Sequence, residues 1–236
     1  METINRKNVR KTLSKKVGQL NDIVADIDDI LALMEVDFYR VAIFGSARLE
    51  PDTNLYRQAY DLAFKLGTMR VDVVTGGGPG LMDAANRGVK AGGQQSRSIG
   101  LPISLPFESD ANAHLDVKHE HRRFSSRLDE FMRISHAVVV TAGGIGTVLE
   151  LMYTWQLLQV AHIQPRPFFL IDSDNMWADF LKWFEQHPVQ KKLMSKSDMA
   201  MLTVCHDVDE VIETLKPKVQ EFEASRVSRK SHNDPI

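Results

Sequence analysis

Cysteine is nearly absent from this sequence, since Cys205 is the single one among 236 residues. One thiol cannot form a disulfide within the chain, and it cannot supply the several cysteines of a typical structural zinc site. This cysteine usage is typical of a protein that stays in the reducing cytoplasm. A disulfide-stabilised secreted domain is therefore excluded as an interpretation.

Long apolar runs and an excess of one charge are missing as well. No stretch approaches the roughly 18–20 apolar residues of a membrane helix, and the amino-terminal METINRKNVRK lacks the apolar core of a signal peptide. The 29 Lys and Arg nearly balance the 31 Asp and Glu, which leaves a net charge of -2. We therefore expect a cytoplasmic protein that binds neither membranes nor nucleic acid.

The first 36 residues have the pattern of a helical arm. Their apolar residues recur at alternating spacings of three and four, which places one stripe on one helix face: Val17, Leu20, Val24, Ile27, Leu31 and Met34. This stripe either packs against the chain's own domain or contributes to a dimer interface. The sequence leaves both alternatives open.

Residues 37–218 alternate strand-length apolar runs with helical patterns. The predicted strands are 41–44, 71–74, 98–101, 137–140, 168–171 and 199–204, and the predicted helices are 55–66, 81–89, 147–160, 176–184 and 208–215. Continuous apolar runs are typical of parallel strands that helices cover on both faces. The pattern predicts an α/β fold, a Rossmann-like doubly wound and mainly parallel sheet. Residues 219–236 are polar and are predicted to form a disordered tail.

Three predicted strand ends carry small residues: Phe44–Arg48, Thr75–Met82 and Thr141–Glu150. Ligands of open parallel sheets bind at the carboxyl ends of the strands. Glycine lets the backbone come close to a ligand, and the helix that follows adds free N–H donors, so such loops suit an anion. Two glycine loops in one domain predict a phosphate site, to which Thr147 would add a hydroxyl.

The glycine loops do not match the common cofactor motifs. The first turn has only Gly45 where a dinucleotide fingerprint has three glycines, and neither later loop continues into the Lys-Ser or Lys-Thr of a P-loop. Neither holds a lysine for a pyridoxal phosphate Schiff base. His119 and His121 are the only close histidine pair, so we expect neither a cofactor nor a metal.

Glu150 lies three positions after Thr147, which places both on the same side of the first helical turn. A carboxylate is unfavourable beside a phosphate, so it would serve another part of the ligand. It could hold ribose hydroxyls and stabilise the positive charge that develops at the anomeric carbon. Alternatively, it simply interacts with the positive end of its own helix.

These motifs resemble those of the LOG family, phosphoribohydrolases long mislabelled as lysine decarboxylases. The family's P-G-G-x-G-T-x-x-E run is matched by residues 142–150 and its G-G-G-P-G-[IL]-M-E-A-A-N run by residues 76–86, with Asp83 in place of Glu. Residues 99–108 resemble the longer-chain subgroup. The resemblance extends from about Val41 to about Leu215.

The resemblance implies cleavage of AMP or cytokinin-type nucleotides to free base and ribose 5-phosphate, without a cofactor, by a cytoplasmic homodimer. It assigns Glu150 and Arg127 as the catalytic residues. It assigns to the substrate and phosphate pocket Gly45, Ser46, Gly76, Gly77, Gly78, Gly80, Met82, Gly143, Gly144, Gly146 and Thr147.

Two positions depart from the family pattern. Ala142 replaces a proline that stiffens the loop, and Leu128 replaces the lysine that follows the functional arginine. Arg122, Arg123 and Arg133 are the candidates to replace that cation. The departures keep a second hypothesis open: a nucleotide-binding or carrier protein of the same fold with little hydrolase activity.

Overall fold

The computed structural model describes residues 12–13, 15–18, 38–104 and 111–233, with side chains up to Arg226. The chain divides into two units, Met1–Asp37 and Phe38–Ile236. Residues 12–13 and 15–18 of the first unit are helical and exposed. The remainder of the predicted arm, including most of its apolar stripe, lies outside the described residues.

The second unit has the predicted α/β architecture. Its seven strands are β1 (Arg40–Phe44), β2 (Asp72–Thr75), β3 (Ser98–Gly100), β4 (Val117–Lys118), β5 (Ala137–Val140), β6 (Phe168–Ile171) and β7 (Thr203–Cys205). They form one sheet in the order β4-β3-β2-β1-β5-β6-β7, in which every neighbouring pair is parallel. The prediction of a mainly parallel, doubly wound sheet is confirmed.

The described helices connect these strands. They are α1 (Asn54–Thr68), α2 (Leu81–Gly92), α3 (Phe124–Ile134), α4 (Ile145–Gln159), α5 (Ala178–Phe184), which continues into a π-helical turn at Glu185–Val189, α6 (Lys196–Met199) and α7 (Val208–Asn233). None of the described helices is long and apolar enough to cross a membrane.

The core explains the continuous apolar runs of the strands. On one face of the sheet, Leu62 of α1, Ala85 of α2 and Leu215 of α7 pack in one cluster with Val41 and Val139. On the other face, Phe131 of α3 packs edge-on against Phe44, with ring centroids 4.9 Å apart. Because both faces are covered, β1 and β5 are buried along their full length.

The carboxyl-terminal prediction is wrong in two places. The run at 199–204 divides into the end of α6, whose first turn is closed by a capping box between Ser195 and Asp198, and the strand β7. Helix α7 continues through Pro217 to Asn233, so residues 219–233 do not form the predicted disordered tail. Phe222 explains this continuation, because its ring packs against His136 at 4.7 Å between centroids.

The strand order places a topological switch between β1 and β5. From β1 the chain proceeds through β2 and β3 to β4 at one edge, and it then returns to β5 on the other side of β1. Helices after β1 and β5 therefore leave the sheet in opposite directions and open a crevice at the carboxyl ends of these strands. All three small-residue loops lie at strand ends next to this crevice.

Candidate active site

The first and third loops are joined across the switch point. Ser46 N donates to the Ala142 carbonyl at 3.0 Å, and the Thr141 hydroxyl donates to the Phe44 carbonyl at 3.0 Å. A Cβ on Gly45 would lie 2.4 Å from the Thr141 hydroxyl oxygen. A side chain at position 45 would therefore force these two strand ends apart.

The second loop packs its backbone directly on the first. Gly80 has a φ of 67°, and a Cβ there would lie 2.6 Å from the Ser46 carbonyl oxygen. That same carbonyl accepts a hydrogen bond from Leu81 N at 2.9 Å, at the beginning of α2. Only glycine combines the positive φ with such a close backbone approach.

The third loop leaves open space at the beginning of α4. Gly144 is the N-cap of this helix and supplies no side-chain cap, so the first N–H groups of the helix have no partner from that residue. A Cβ on Gly144 or Gly146 would meet nothing within 4 Å, whereas one on Gly143 would lie 2.1 Å from the buried Thr147 hydroxyl. The loop is therefore tightly packed at Gly143, while the space beside Gly144 and Gly146 at the first turn of α4 is open. An anion site at a helix N-terminus requires such open space.

Gly143→Ala is expected to lower the free energy of unfolding by about 1–3 kcal/mol, because its methyl group would displace Thr147. Gly144→Ala is the matched control one residue further on. Its φ of -93° suits alanine and the added methyl meets open space, so we expect no loss of stability. Urea unfolding of both variants measures the difference, and equal stabilities would contradict the packing described for Gly143.

Arg127 and Glu150 face each other beside these loops. The Arg127 Nη1 atom lies 3.7 Å from the Glu150 Oε1 atom, and the two side chains are only 11% and 12% exposed. Arg127 is held in place, since its Nε donates to the Leu101 carbonyl at 2.6 Å and its guanidinium lies over the Phe131 ring. A Cβ on Gly76 would lie 2.2 Å from Arg127 Nη2 and 2.7 Å from Met82 Sδ, so this glycine makes room for both side chains.

Burial sets the protonation of Glu150. It raises the pKa of this carboxyl to about 7, and the positive charge of Arg127 opposes the rise. Glu150 is therefore divided between acid and carboxylate near neutral pH. A group with such a pKa can exchange a proton with a reacting molecule at neutral pH.

The raised pKa of Glu150 also predicts how stability depends on pH. The folded protein holds this proton more tightly than the unfolded chain, so the contribution is complete below pH 4.5 and is lost as the pH rises towards about 7. His136 has the opposite effect, because burial lowers its pKa to about 4. The melting temperature of the wild type minus that of Glu150→Gln should therefore fall between pH 5 and 8. A constant difference would contradict the raised pKa.

Leu128 and the three arginines considered as substitutes for the family's lysine lie in different surroundings. Leu128 is 6% exposed and packs in the interior, so position 128 presents no cation to the crevice. Arg133 lies near the other end of α3 and lines a cavity of about 440 Å³ with His136, at the amino ends of the strands. Arg122 and Arg123 are exposed just before α3. Arg127 is therefore the arginine that the fold holds against Glu150.

His136 has a structural role in the sheet. Its Nδ1 accepts a hydrogen bond from Arg40 N at 3.0 Å, between the beginnings of β1 and β5. His136 thus immediately precedes β5 and is held beside the first residue of β1. The three glycine loops lie at the opposite ends of the strands, their carboxyl ends.

Asn112 was not predicted as a site residue. Its Nδ2 donates to the Gly78 carbonyl at 2.9 Å and its backbone N donates to Gly77 O at 2.8 Å, so it supports the second glycine loop from outside. The Thr75 hydroxyl accepts from Gly77 N and donates to Asn86. Asn86 belongs to the recognised motif, but no local pattern marks Asn112, which comes from the segment between β3 and β4.

The fold and this site together define a Rossmann-like α/β protein with a glycine-loop crevice at its switch point. A family model described as "Possible lysine decarboxylase" matches residues 82–215. The chain belongs to this family, the LOG or lysine decarboxylase-like family, which confirms the resemblance read from the motifs.

Two relatives show the range of names in the family. A cytokinin riboside 5′-monophosphate phosphoribohydrolase of Arabidopsis thaliana is 23% identical over 188 residues, which cover 78% of this chain and 85% of that protein. A pyrimidine/purine nucleotide 5′-monophosphate nucleosidase of Escherichia coli K12 is 32% identical over 111 residues, which cover 44% of this chain. The match spans only 24% of the length of that nucleosidase.

Solved structures share the fold at lower identity. The molybdenum cofactor carrier protein of Chlamydomonas reinhardtii superposes with a TM-score of 0.57 at 22% identity, over 76% of this chain and 97% of the other. The molybdenum cofactor binding protein of Rippkaea orientalis gives 0.59 at 16% identity, over 77% and 98%.

Proposed function

We propose that this protein is a nucleoside 5′-monophosphate phosphoribohydrolase, which cleaves the N-glycosidic bond of AMP or a cytokinin-type nucleotide. The observation that carries the proposal is the nearly buried Arg127–Glu150 pair beside the glycine loops. Loops and pair meet at the switch point, where parallel α/β folds bind their ligands. The names of the relatives from Arabidopsis and Escherichia coli agree with this activity.

The phosphate would bind at the beginning of α4. Gly143, Gly144 and Gly146 leave the backbone N–H groups accessible, and the positive end of the helix favours a dianion. Thr147 lies in the first turn of the same helix. Ser46 and the Gly76–Gly80 loop would form the opposite wall, with Met82 near the base. A phosphate held there would leave the ribose within reach of the carboxylate three residues after Thr147.

In the proposed reaction the bond between C1′ and the base nitrogen breaks, and the nitrogen keeps the electron pair. Positive charge develops on the ribose, and the Glu150 carboxylate would stabilise it. A water oxygen then bonds to C1′, and Glu150 would accept one of its protons. The other is retained by the new hydroxyl. The leaving base takes up one proton from solvent and Glu150 later releases one to solvent, so the products are free base and ribose 5-phosphate. Arg127 would hold the ribose and keep part of the Glu150 population ionised.

One observation favours a second candidate function. Leu128 is buried where family members carry a lysine, so a cation of the family pattern is missing from the crevice. The fold is also that of proteins named as molybdenum cofactor carriers. A carrier would keep the glycine loops and bind a phosphate-containing ligand without cleaving it.

A panel of nucleoside monophosphates separates the two candidates. AMP, other purine and pyrimidine monophosphates and a cytokinin nucleotide are incubated with the protein, and free base is measured by chromatography. The proposal predicts base release from at least one of them, with adenosine unchanged because it lacks the phosphate. Binding of a nucleotide without any base release would support the carrier instead.

We also propose that the protein forms the homodimer that the family resemblance implies. Phe124, Ile145 and Leu149 expose apolar surface on α3 and α4 beside the site, and Ile145 is 92% exposed. An apolar patch of this kind favours a partner subunit. Sedimentation of the purified chain tests for a mass of twice 26.7 kDa.

A further inference from the structure

Three buried side chains with metal-ligating atoms meet near β4 and α3. His119 and His121 follow β4, and Glu130 lies in the middle of α3. They are 7%, 5% and 0% exposed, and one ligand atom from each lies within 4.8 Å of the others. The expectation that no metal binds rested on a histidine pair without a third ligand, and folding brings Glu130 to that pair.

The backbone fixes both imidazoles on one side. His119 N donates to the Gly100 carbonyl at 3.0 Å, and His121 N donates to the Pro102 carbonyl at 2.8 Å. This pairing keeps the segment extended beside β3, and alternate residues of an extended chain point in the same direction. Glu130 completes the cluster from the helix that crosses over it.

The contacts within the cluster leave buried polar atoms unsatisfied. His119 Nδ1 lies 2.8 Å from the Glu130 carboxylate, and His121 Nε2 lies 2.5 Å from Glu130 Oε2. Yet His121 Nε2 and Glu130 Oε2 make no hydrogen bond of acceptable geometry, although neither is accessible to solvent. Buried polar atoms of this kind are costly unless another group satisfies them.

The negative charge of the buried Glu130 carboxylate also favours a bound cation. A carboxylate with no exposed surface needs positive charge nearby. Arg127, three residues earlier on the same helix, is directed at Glu150 and Leu101 instead. Both imidazoles contact Glu130, and they are cationic only when they are protonated.

We propose that His119, His121 and Glu130 bind a divalent metal ion, with zinc as the best match. Two imidazole nitrogens and one carboxylate oxygen form an established zinc donor set, and a water can occupy a fourth position. Zinc bonds of about 2.0–2.1 Å separate neighbouring ligand atoms by about 3.3 Å. The 2.5 Å contact would therefore need to open by less than about 1 Å.

A metal at this cluster would fix the position of α3. It would connect the histidines after β4 to Glu130, which lies about one helical turn after Arg127 on α3. It would thereby fix the helix that directs Arg127 towards Glu150. Metal binding itself does not depend on the proposed hydrolase activity, so the two are tested separately.

Titration of the full chain with zinc tests the site. The protein is treated with EDTA, dialysed and titrated by calorimetry, and Co²⁺ replaces zinc for a visible absorption spectrum. We expect one ion per chain and the strong visible bands of four-coordinate Co²⁺. His119→Gln and His121→Gln should each weaken binding at least about tenfold.

His162→Gln is the matched control, because His162 is exposed and lies outside the cluster. Its zinc affinity should equal that of the wild type. Circular dichroism shows whether the cluster variants fold, and if they do not, the Co²⁺ spectrum of the wild type decides. Unchanged affinity in folded His121→Gln, or a spectrum identical to that of hydrated Co²⁺, would overturn the proposal and leave a hydrogen-bonded ion pair.

Discussion

Glu150→Gln is expected to slow the release of adenine from AMP by at least about a hundredfold. Glutamine has the shape of the carboxylic acid, but it can neither carry negative charge towards the ribose nor accept a proton from water. General base catalysis and electrostatic stabilisation each contribute about 10²–10⁴-fold in enzymes. Because the wild-type carboxyl has a pKa raised to about 7 by burial, its rate should rise with pH until that group is ionised.

The fold should tolerate this substitution. Removing a carboxylate whose ionisation is opposed by burial should not lower stability at neutral pH. Glu213→Gln, an exposed position on α7, is the control for the loss of one acidic group. A Glu150→Gln rate within threefold of the Glu213→Gln rate would show that Glu150 takes no part in the reaction.

Arg127→Gln should reduce kcat/KM by about a hundredfold or more, since it removes a cation that is nearly buried against Glu150. It should also move the pH–rate profile to higher pH, because the Arg127 charge opposes the rise in the pKa of Glu150. Arg127→Lys should keep part of the charge effect. It should lose the planar contact with the Leu101 carbonyl and the Phe131 ring, so we expect an intermediate rate.

Arg133→Gln is the control for Arg127, because it removes a guanidinium from the same helix at an exposed position. Its rate and pH profile should match those of the wild type. An Arg127→Gln variant with an unshifted profile would show that the two side chains are not coupled. A pH–rate profile that shifts without loss of rate would show that Arg127 acts only by lowering the pKa of Glu150.

Local patterns predicted the parts of the site that depend on short contiguous motifs. The loops at Gly45, Gly76–Gly80 and Gly143–Gly146 follow β1, β2 and β5 as expected, because buried parallel strands and glycine turns leave clear local patterns. Arg127 was located only through the family resemblance. Helix α3 was not predicted, and its inward positions include Arg127 and the buried Glu130, which interrupt the apolar stripe that marks a helix.

Contacts between distant segments account for the other differences. The sequence predicts that this helix ends at residue 215, yet Val219 and Phe222 continue its buried face against Tyr39, which lies far away in the sequence. Glu130 reaches His119 and His121 only after α3 packs against the segment that follows β4. No local spacing encodes such contacts, since tertiary packing creates them.

The most direct measurement of the proposed activity is the product balance of the wild-type protein with AMP as substrate. Adenine and ribose 5-phosphate are quantified in the same reaction over many equivalents of AMP per chain. We expect equal amounts of both products, formed repeatedly and dependent on Glu150. Recovery of intact AMP, and of every other monophosphate of the panel, from a protein that binds them would contradict the hydrolase and identify a carrier.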